Sequence, residues 1–74
     1  MNNSEIIVAQ SLIDSLSVGD KKCLKEIYGD KWNDILEPNV FGKKFKEAVL
    51  NNKLKGVKHI GIRSTGRCDE YEKI

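Results

Sequence analysis

The chain has 74 residues, of which 39% are hydrophobic and 32% are charged, and its net charge at pH 7 is +2. This length is enough for one small core and leaves no room for a second domain, and the composition is that of a packed protein and not of a disordered segment. No apolar run approaches the roughly 20 residues that span a bilayer, and the polar start of the chain lacks the features of a signal peptide. We therefore expect residues 1–74 to form a single soluble, cytoplasmic domain with no membrane partner.

The chain contains two cysteines and one histidine. Cys23, Cys68 and His59 have neither the number nor the spacing of a zinc site or of a disulfide framework. We therefore expect two reduced thiols, no bound metal and no cofactor.

A first helix is predicted to begin at Asn3 or Ser4, because either side chain can accept from the free amides of the opening turn. One face of this helix carries a periodic set of apolar residues: Ile6, Ala9, Ile13 and Leu16. The helix is predicted to end near Gly19, where glycine can adopt the left-handed conformation. We interpret this segment as scaffold.

The next segment leaves two alternatives open. Lys21–Cys23 is extended and is followed by a brief helix over residues 24–28, or else Asp20 caps a helix that begins at Lys21. A further short helical segment is predicted over residues 31–36, with three side chains facing inward: Trp32, Ile35 and Leu36. Pro38 must interrupt that run, and Asn39 can cap the helix that follows.

The strongest periodic pattern runs from Val40 to Lys53 and predicts an amphipathic helix. Its inward face is predicted to hold Phe41, Phe45, Ala48, Val49 and Asn52, and its outer face Lys43, Lys44, Lys46, Glu47, Leu50 and Asn51. Together with the preceding helical segment it predicts a helix-turn-helix arrangement. Gly42 is costly in a helix by about 1 kcal/mol relative to alanine, which a close approach of the backbone to a neighbour or to a phosphate would explain.

Residues 57–74 predict a two-stranded hairpin. The period changes to two from Val57 to Ser64, and Ile60 and Ile62, which share one face, are expected to face the core. Residues 64–67 are the candidate turn, and the returning strand is expected to be anchored by Tyr71 and Ile74. A basic helix that leads into a basic hairpin is typical of modules that bind nucleic acid. The predicted fold is therefore α+β: a winged helix-turn-helix, with three helices packed on a short antiparallel hairpin wing.

The charge is unevenly distributed along the chain. Residues 43–67 hold eight basic side chains against Glu47 alone, a net charge of +7, so the rest of the chain carries −5. Such a patch suits a polyanion, although a run of lysines is also a common solvated surface. The candidate nucleic-acid-binding residues are Lys43, Lys44, Lys46, Asn51, Lys53, Lys58, Arg63 and Arg67. Lysine lacks the planar fork that reads guanine, so phosphate contacts are expected to outnumber base contacts.

Two functions follow from this pattern. The first is a module that binds nucleic acid, expected to be double-stranded DNA, as a small regulator or accessory factor that acts alone or as a homodimer on two half-sites. The second is a protein-interaction module on the same scaffold, such as a phage-encoded inhibitor or an adaptor. We expect no enzyme, because His59, Cys68 and Asp69 are the only catalytic candidates and a hairpin offers them no pocket. The aromatic side chains at the seam are interpreted as core: Trp32, Phe41 and Phe45.

The sequence resembles a family of small, functionally uncharacterised bacterial and phage proteins classed as a domain of unknown function. The resemblance is carried by Ser15-Leu16-Ser17-Val18-Gly19, Leu24-Lys25-Glu26-Ile27-Tyr28-Gly29, Trp32, Phe41-Gly42-Lys43-Lys44-Phe45-Lys46-Glu47-Ala48-Val49 and Tyr71-Glu72-Lys73-Ile74. It implies a winged-helix-like fold in which Lys21–Cys23 is a short third strand beside the hairpin, and it implies no activity. In that fold Cys23 and Cys68 come close together, with a redox link as the alternative to two separate thiols.

Overall fold

The computed structural model describes residues 1–64 and 68–74. The elements in chain order are α1 (Asn3–Asp14), β1 (Lys21–Cys23), α2 (Leu24–Tyr28), a 3-10 helix (Gly29–Asp34), α3 (Pro38–Leu50), β2 (Val57–Ile62) and β3 (Asp69–Lys73). The described strands form one antiparallel sheet in the order β1-β3-β2. The predicted α+β class, with three helices and a hairpin, is therefore confirmed. Among the described residues, no helix has the length and apolarity needed to cross a membrane.

The first helix forms as predicted, but its cap lies one residue earlier and it ends at Asp14, so the predicted end near Gly19 is wrong and Leu16 lies beyond the helix. The Asn2 side chain accepts from the Glu5 amide at 2.8 Å, and the Glu5 carboxylate accepts from the Asn2 amide at 3.0 Å. This reciprocal capping box outcompetes a single hydroxyl or amide cap at Asn3 or Ser4. Ala9 and Ile13 are fully buried, so the predicted inward face is confirmed.

The structure decides between the two alternatives for residues 21–28. Lys21–Cys23 is a strand because it pairs with β3, with Lys22 opposite Tyr71. Asp20 caps no helix, since its carboxylate instead accepts from the Ser17 amide at 3.0 Å. The brief helix that follows is α2, and a Glu26 carboxylate oxygen accepts from the Cys23 amide at its start, at 2.8 Å.

The preceding helical run ends at Asp34, so the predicted interruption before α3 is confirmed, but α3 begins at Pro38 and the prediction that Asn39 caps it is wrong. Proline fits the first helical position because its fixed φ is already helical and that position needs no amide hydrogen. The predicted inward face is confirmed by the burial of Phe41, Phe45, Ala48 and Val49. Asn52 is the exception, since it lies beyond the helix, exposed and with a φ of +61°.

The core is built around packed aromatic rings. The centroid of Phe45 lies 5.0 Å from that of Tyr71, and the centroid of Tyr28 lies 5.2 Å from that of Phe41, both edge to face. Trp32 is half-buried against this cluster, as is Ile35. Leu36 was expected to face inward as well, and that prediction is wrong because the side chain is 96% exposed.

The hairpin strands exist, but the inward phase predicted for β2 is wrong. Ile60 is 37% exposed and Ile62 is 69% exposed, whereas Val57 is buried. The pairing shifts between His59 and Gly61, so an extra residue in β2 interrupts the alternation. On β3 the Tyr71 anchor is confirmed, and the Ile74 anchor is wrong because that side chain is 56% exposed. Residues 65–67 of the predicted turn lie outside the described part of the chain.

The expectation of two reduced thiols is also wrong. Cys23 and Cys68 are joined by a disulfide, with their Cα atoms 5.9 Å apart. The two residues are 45 positions apart in sequence, and they meet because β3 pairs with β1 and places Cys23 opposite Glu70. Cys23 and Cys68 are therefore close together, as the family resemblance implies, and they form the disulfide that was the alternative to separate thiols.

A side-chain amide ties α1 to the segment between α3 and β2. Gln10 donates to the Lys55 carbonyl at 2.8 Å and accepts from the Lys55 amide at 2.9 Å. Both bonds are at an exposed position, where they replace hydrogen bonds to water. Gln10 therefore holds α1 against the loop that leads into the hairpin.

Candidate nucleic-acid interface

The exposed face of α3 carries the first candidate residues. Lys43 and Lys44 are both exposed on the helix, and neither forms a salt bridge with any described residue. Asn51 is exposed at the end of the helix, where its backbone amide donates to the Glu47 carbonyl at 2.8 Å. Lys53 is exposed in the following turn and lies beside α1, where it lines a groove with Ile6. The helix therefore presents two adjacent cations near its start and a polar end.

The candidate Lys46 is placed differently from its neighbours on α3. Its ammonium group lies 3.8 Å from an Asp69 carboxylate oxygen on β3. The same oxygen is 3.0 Å from Nε2 of His59. Lys46 therefore helps to hold α3 on the sheet, and part of its charge is balanced by Asp69.

Two candidate cations of the hairpin, Lys58 and Arg63, are paired with carboxylates. Lys58 lies 3.3 Å from Glu72. Arg63 donates through Nε and Nη2 to Glu70, at 2.9 and 2.7 Å, and Nη2 also lies 3.0 Å from Glu26. These partners raise the pKa of Arg63, with Glu70 the larger cause. The pKa of Glu26 is lowered, first by the hydrogen bond from the Cys23 amide and then by Arg63.

The paired hairpin cations lie on the face of the sheet opposite to α3. The helix packs on the face that carries Tyr71, as the Phe45 contact shows. Glu70 and Glu72 flank Tyr71 in β3 and so point to the other face, together with their partners Arg63 and Lys58. The structure therefore does not bring these two residues together with the lysines of α3. Arg67, the remaining candidate, lies outside the described residues.

A residue that the sequence analysis missed lies across from α3. A cleft of about 560 Å³ separates α2 and the 3-10 helix from the start of α3 and of β3, and both Lys25 and Lys43 line it. Lys25 is the second residue of α2, is exposed, and has no salt bridge to a described residue. A signal was available, because the first helix of a helix-turn-helix crosses the nucleic-acid backbone.

Gly42 lines the same cleft. A Cβ atom built at this position meets no described atom within 4 Å, so the explanation by close packing against a neighbouring element is wrong. Because Gly42 has no side chain, the wall of the cleft beside Lys43 is recessed. The alternative explanation, an approach by a molecule from outside, stays a prediction.

A second groove, of about 400 Å³, lies on the other side of the start of α3. Its apolar lining is formed by Ile35, Leu36, Val40 and Phe41. Its charged lining is mostly acidic and consists of Glu5, Asp34, Glu37 and Lys44. The start of α3 is therefore flanked by one cleft with two lysines and one groove with three carboxylates.

Within residues 1–64 and 68–74, the side chains that could carry out catalysis or bind a metal either have other partners or lie far apart. No three side chains among His, Cys, Asp and Glu come together there as metal ligands. The Cys68 sulfur is bonded to Cys23 and so is unable to act as a nucleophile in this state. His59 is half-buried against Tyr71, with ring centroids 5.3 Å apart, and holds Asp69.

Comparisons with protein families, with curated proteins and with solved structures find no match to this chain.

Proposed function

We propose that this protein is a nucleic-acid-binding module of the winged helix-turn-helix type, which meets double-stranded DNA with the start of α3 and with Lys25 of α2. The order of its elements supports this proposal: a helix and a short strand are followed by α2, the 3-10 helix and α3, and then by a hairpin. The strand order β1-β3-β2 supports it too, since it places the first strand beside the last. Such a module offers its second helix to a groove while the first helix lies along the backbone.

The observation that carries the proposal is a group of three exposed lysines at the start of α3 and on α2, none of which has a salt bridge to a described residue. Lys43 and Lys44 project from α3, and Lys25 lies across the cleft on α2. Cations on two adjacent elements allow contacts to more than one phosphate, and such contacts fix the orientation of a protein on the duplex. Lys58 and Arg63, in contrast, are assigned a structural role in the sheet.

The chemistry of these residues points to phosphate contact more than to base reading. A lysine ammonium is a point charge that binds phosphates without the bidentate geometry required for guanine. Asn51 is the exposed amide on the same helix that would be available to an adenine edge. We therefore expect binding that depends weakly on DNA sequence and strongly on salt.

The test is fluorescence anisotropy with a labelled random duplex at several salt concentrations. Three phosphate contacts give a slope of about −2.7 in log affinity against log salt, so affinity falls roughly fortyfold between about 50 and 200 mM salt. Lys43→Gln and Lys25→Gln each reduce the magnitude of the slope by about one unit. Lys58→Gln is the matched control, because this lysine lies on the opposite face of the sheet and its exposed ion pair contributes little to stability.

Two results would reject the proposal: no duplex binding at about 50 mM salt, or a slope that is the same in wild type and in the Lys43 and Lys25 variants. The cytoplasmic location and the pairing of two copies on two half-sites, both expected from the sequence, belong to the proposal. Size-exclusion chromatography with and without a duplex of two half-sites measures the second of these.

A second candidate function is a protein-interaction module, and the acidic groove beside α3 favours it. Leu36 is 96% exposed and Val40 is 44% exposed at this groove, where Glu5, Asp34 and Glu37 supply the surrounding charge. Exposed apolar side chains ringed by carboxylates suit a partner segment that carries an apolar residue between lysines or arginines. A salt-stable partner captured by the wild type and lost with Leu36→Ser, in a protein that binds no duplex, would replace the first function by this one.

A further inference from the structure

The cleft between α2, the 3-10 helix, α3 and β3 has the size and lining of a small-molecule site. Its volume of about 560 Å³ lies within the range of roughly 300–1,000 Å³ found for ligand pockets. Its apolar walls are formed by the side chains of Leu24, Trp32, Pro38 and Tyr71. A flat apolar group therefore finds both an aromatic surface and aliphatic walls there.

The charged groups of this cleft are predominantly cationic. Lys25 and Lys43 line it and have no salt bridge to a described residue. The carboxylate at the cleft is Asp69, which is already engaged by His59 at 3.0 Å and by Lys46 at 3.8 Å. An anion entering the cleft is therefore attracted by two available lysines and meets a carboxylate whose charge is balanced.

A buried donor without a partner belongs to the same cleft. Tyr71 lines it, is 1% exposed, and its hydroxyl has no hydrogen-bond partner among the described residues. Burial raises the pKa of Tyr71, so the hydroxyl stays protonated at physiological pH. Buried hydroxyls are normally paired, so the Tyr71 hydroxyl at this cleft leaves a donor available to a molecule that enters it.

From these observations we infer that the cleft binds a planar aromatic molecule that carries an anionic group, with the ring against Trp32 and the anion between Lys25 and Lys43. A free aromatic carboxylate and a nucleotide share this chemistry. The cleft shares Lys25 and Lys43 with the proposed DNA-binding surface, whereas Lys44 belongs to that surface alone because it does not line the cleft.

The single tryptophan of the chain makes the test direct. Phenylacetate and adenosine monophosphate are titrated into the full chain while Trp32 fluorescence is followed. We expect a saturable change with a Kd of about 1 mM for at least one of the two, as befits ligands of this size. Tighter binding of phenylacetate identifies a free carboxylate as the natural class of ligand, and tighter binding of adenosine monophosphate identifies a nucleotide.

Two control ligands each lack one of the required groups. Cyclohexylacetate, which has no aromatic ring, and benzyl alcohol, which has no charge, are expected to bind at least tenfold more weakly.

Three variants separate binding from folding. Gly42→Ala adds a methyl group to the wall of the cleft and is expected to raise the Tm by about 4 °C, because alanine is the better helix former, while it weakens ligand binding severalfold. Lys43→Gln is expected to weaken binding about tenfold through loss of the charge-assisted contact. Lys44→Gln, its matched control on the same helix, leaves ligand binding unchanged.

The inference is overturned if neither ligand saturates by about 20 mM, a concentration well above the expected Kd. It is equally overturned if cyclohexylacetate or benzyl alcohol binds as tightly as the aromatic anion, or if Lys44→Gln weakens binding as much as Lys43→Gln does. A loss of duplex binding in Lys44→Gln with normal ligand binding would separate this site from the proposed DNA interface.

Discussion

Reduction of the disulfide between Cys23 and Cys68 is predicted to remove a large part of the stability of this small domain. The bridge closes a loop with a sequence separation of 45 residues. Chain entropy for a loop of that length stabilises the native state by about 4 kcal/mol. Small domains have total free energies of unfolding of roughly 5–15 kcal/mol, so the reduced protein is expected to be marginally stable and to have a Tm about 20 °C lower.

The measurement is urea unfolding, followed by Trp32 fluorescence, in the presence and absence of dithiothreitol. The midpoint is expected to fall on reduction, and the slope with denaturant to rise because the reduced unfolded chain is more expanded. A variant with serine at both positions is the control: its midpoint matches that of the reduced wild type and is insensitive to the reductant. Equal midpoints for oxidised and reduced wild type, with thiol titration showing both sulfurs free after reduction, would refute the reasoning.

Three further predictions concern the core and its ties. Gln10→Ala is expected to lower the free energy of unfolding by about 2 kcal/mol, because the Lys55 amide and carbonyl lose their partner, whereas Ser11→Ala on the exposed side has little effect; urea unfolding compares the two. Phe45→Ala, at a fully buried position, is expected to cost about 3–5 kcal/mol by the same assay. Tyr28→Phe is expected to be neutral or to stabilise by about 1 kcal/mol, because the buried hydroxyl has no partner among the described residues. Burial raises the pKa of Tyr28 to about 12, so the folded state keeps this phenol protonated, and its contribution to stability is lost as the pH rises from about 10 towards 12. A melt at alkaline pH that declines equally in wild type and Tyr28→Phe would contradict this assignment.

The helices were predictable because their signals are local. Ala9 and Ile13, like Phe41 and Phe45, recur at helical spacing and are buried as expected. The start of α1 was also readable from the chain, since Asn2 and Glu5 have the spacing of a capping box. The start of α3 was predicted two residues too late, because Pro38 was interpreted only as the end of the preceding run and not as the first residue of the next helix.

The phase of β2 was not predictable from its alternation alone. Ile60 and Ile62 are the most apolar residues of the strand, yet both are largely exposed. The shift in pairing between His59 and Gly61 is set by the register with β3, which is a contact between distant parts of the chain. Sequence alternation tells which residues share a face only when no extra residue interrupts the strand.

The candidate site also combines features that follow from local sequence with features that depend on tertiary packing. That the lysines near the start of α3 are exposed followed from helical periodicity, and the structure agrees for Lys43 and Lys44. Lys25 came into the site only through the packing of α2 beside α3. Arg63 is not part of the candidate site, because it forms salt bridges with Glu26 and Glu70 on the other face of the sheet.

The sequence by itself determined that α1 and α3 form, which face of α3 is buried and that a hairpin is present, since these depend on residues within a few positions of one another. Only the tertiary structure decided which strand residues are buried, that Cys23 meets Cys68, and which cations have carboxylate partners. The physical reason is that strand register and ion pairing join residues far apart in the chain, and charge counted along a sequence carries no information about the face of a sheet on which each charge lies.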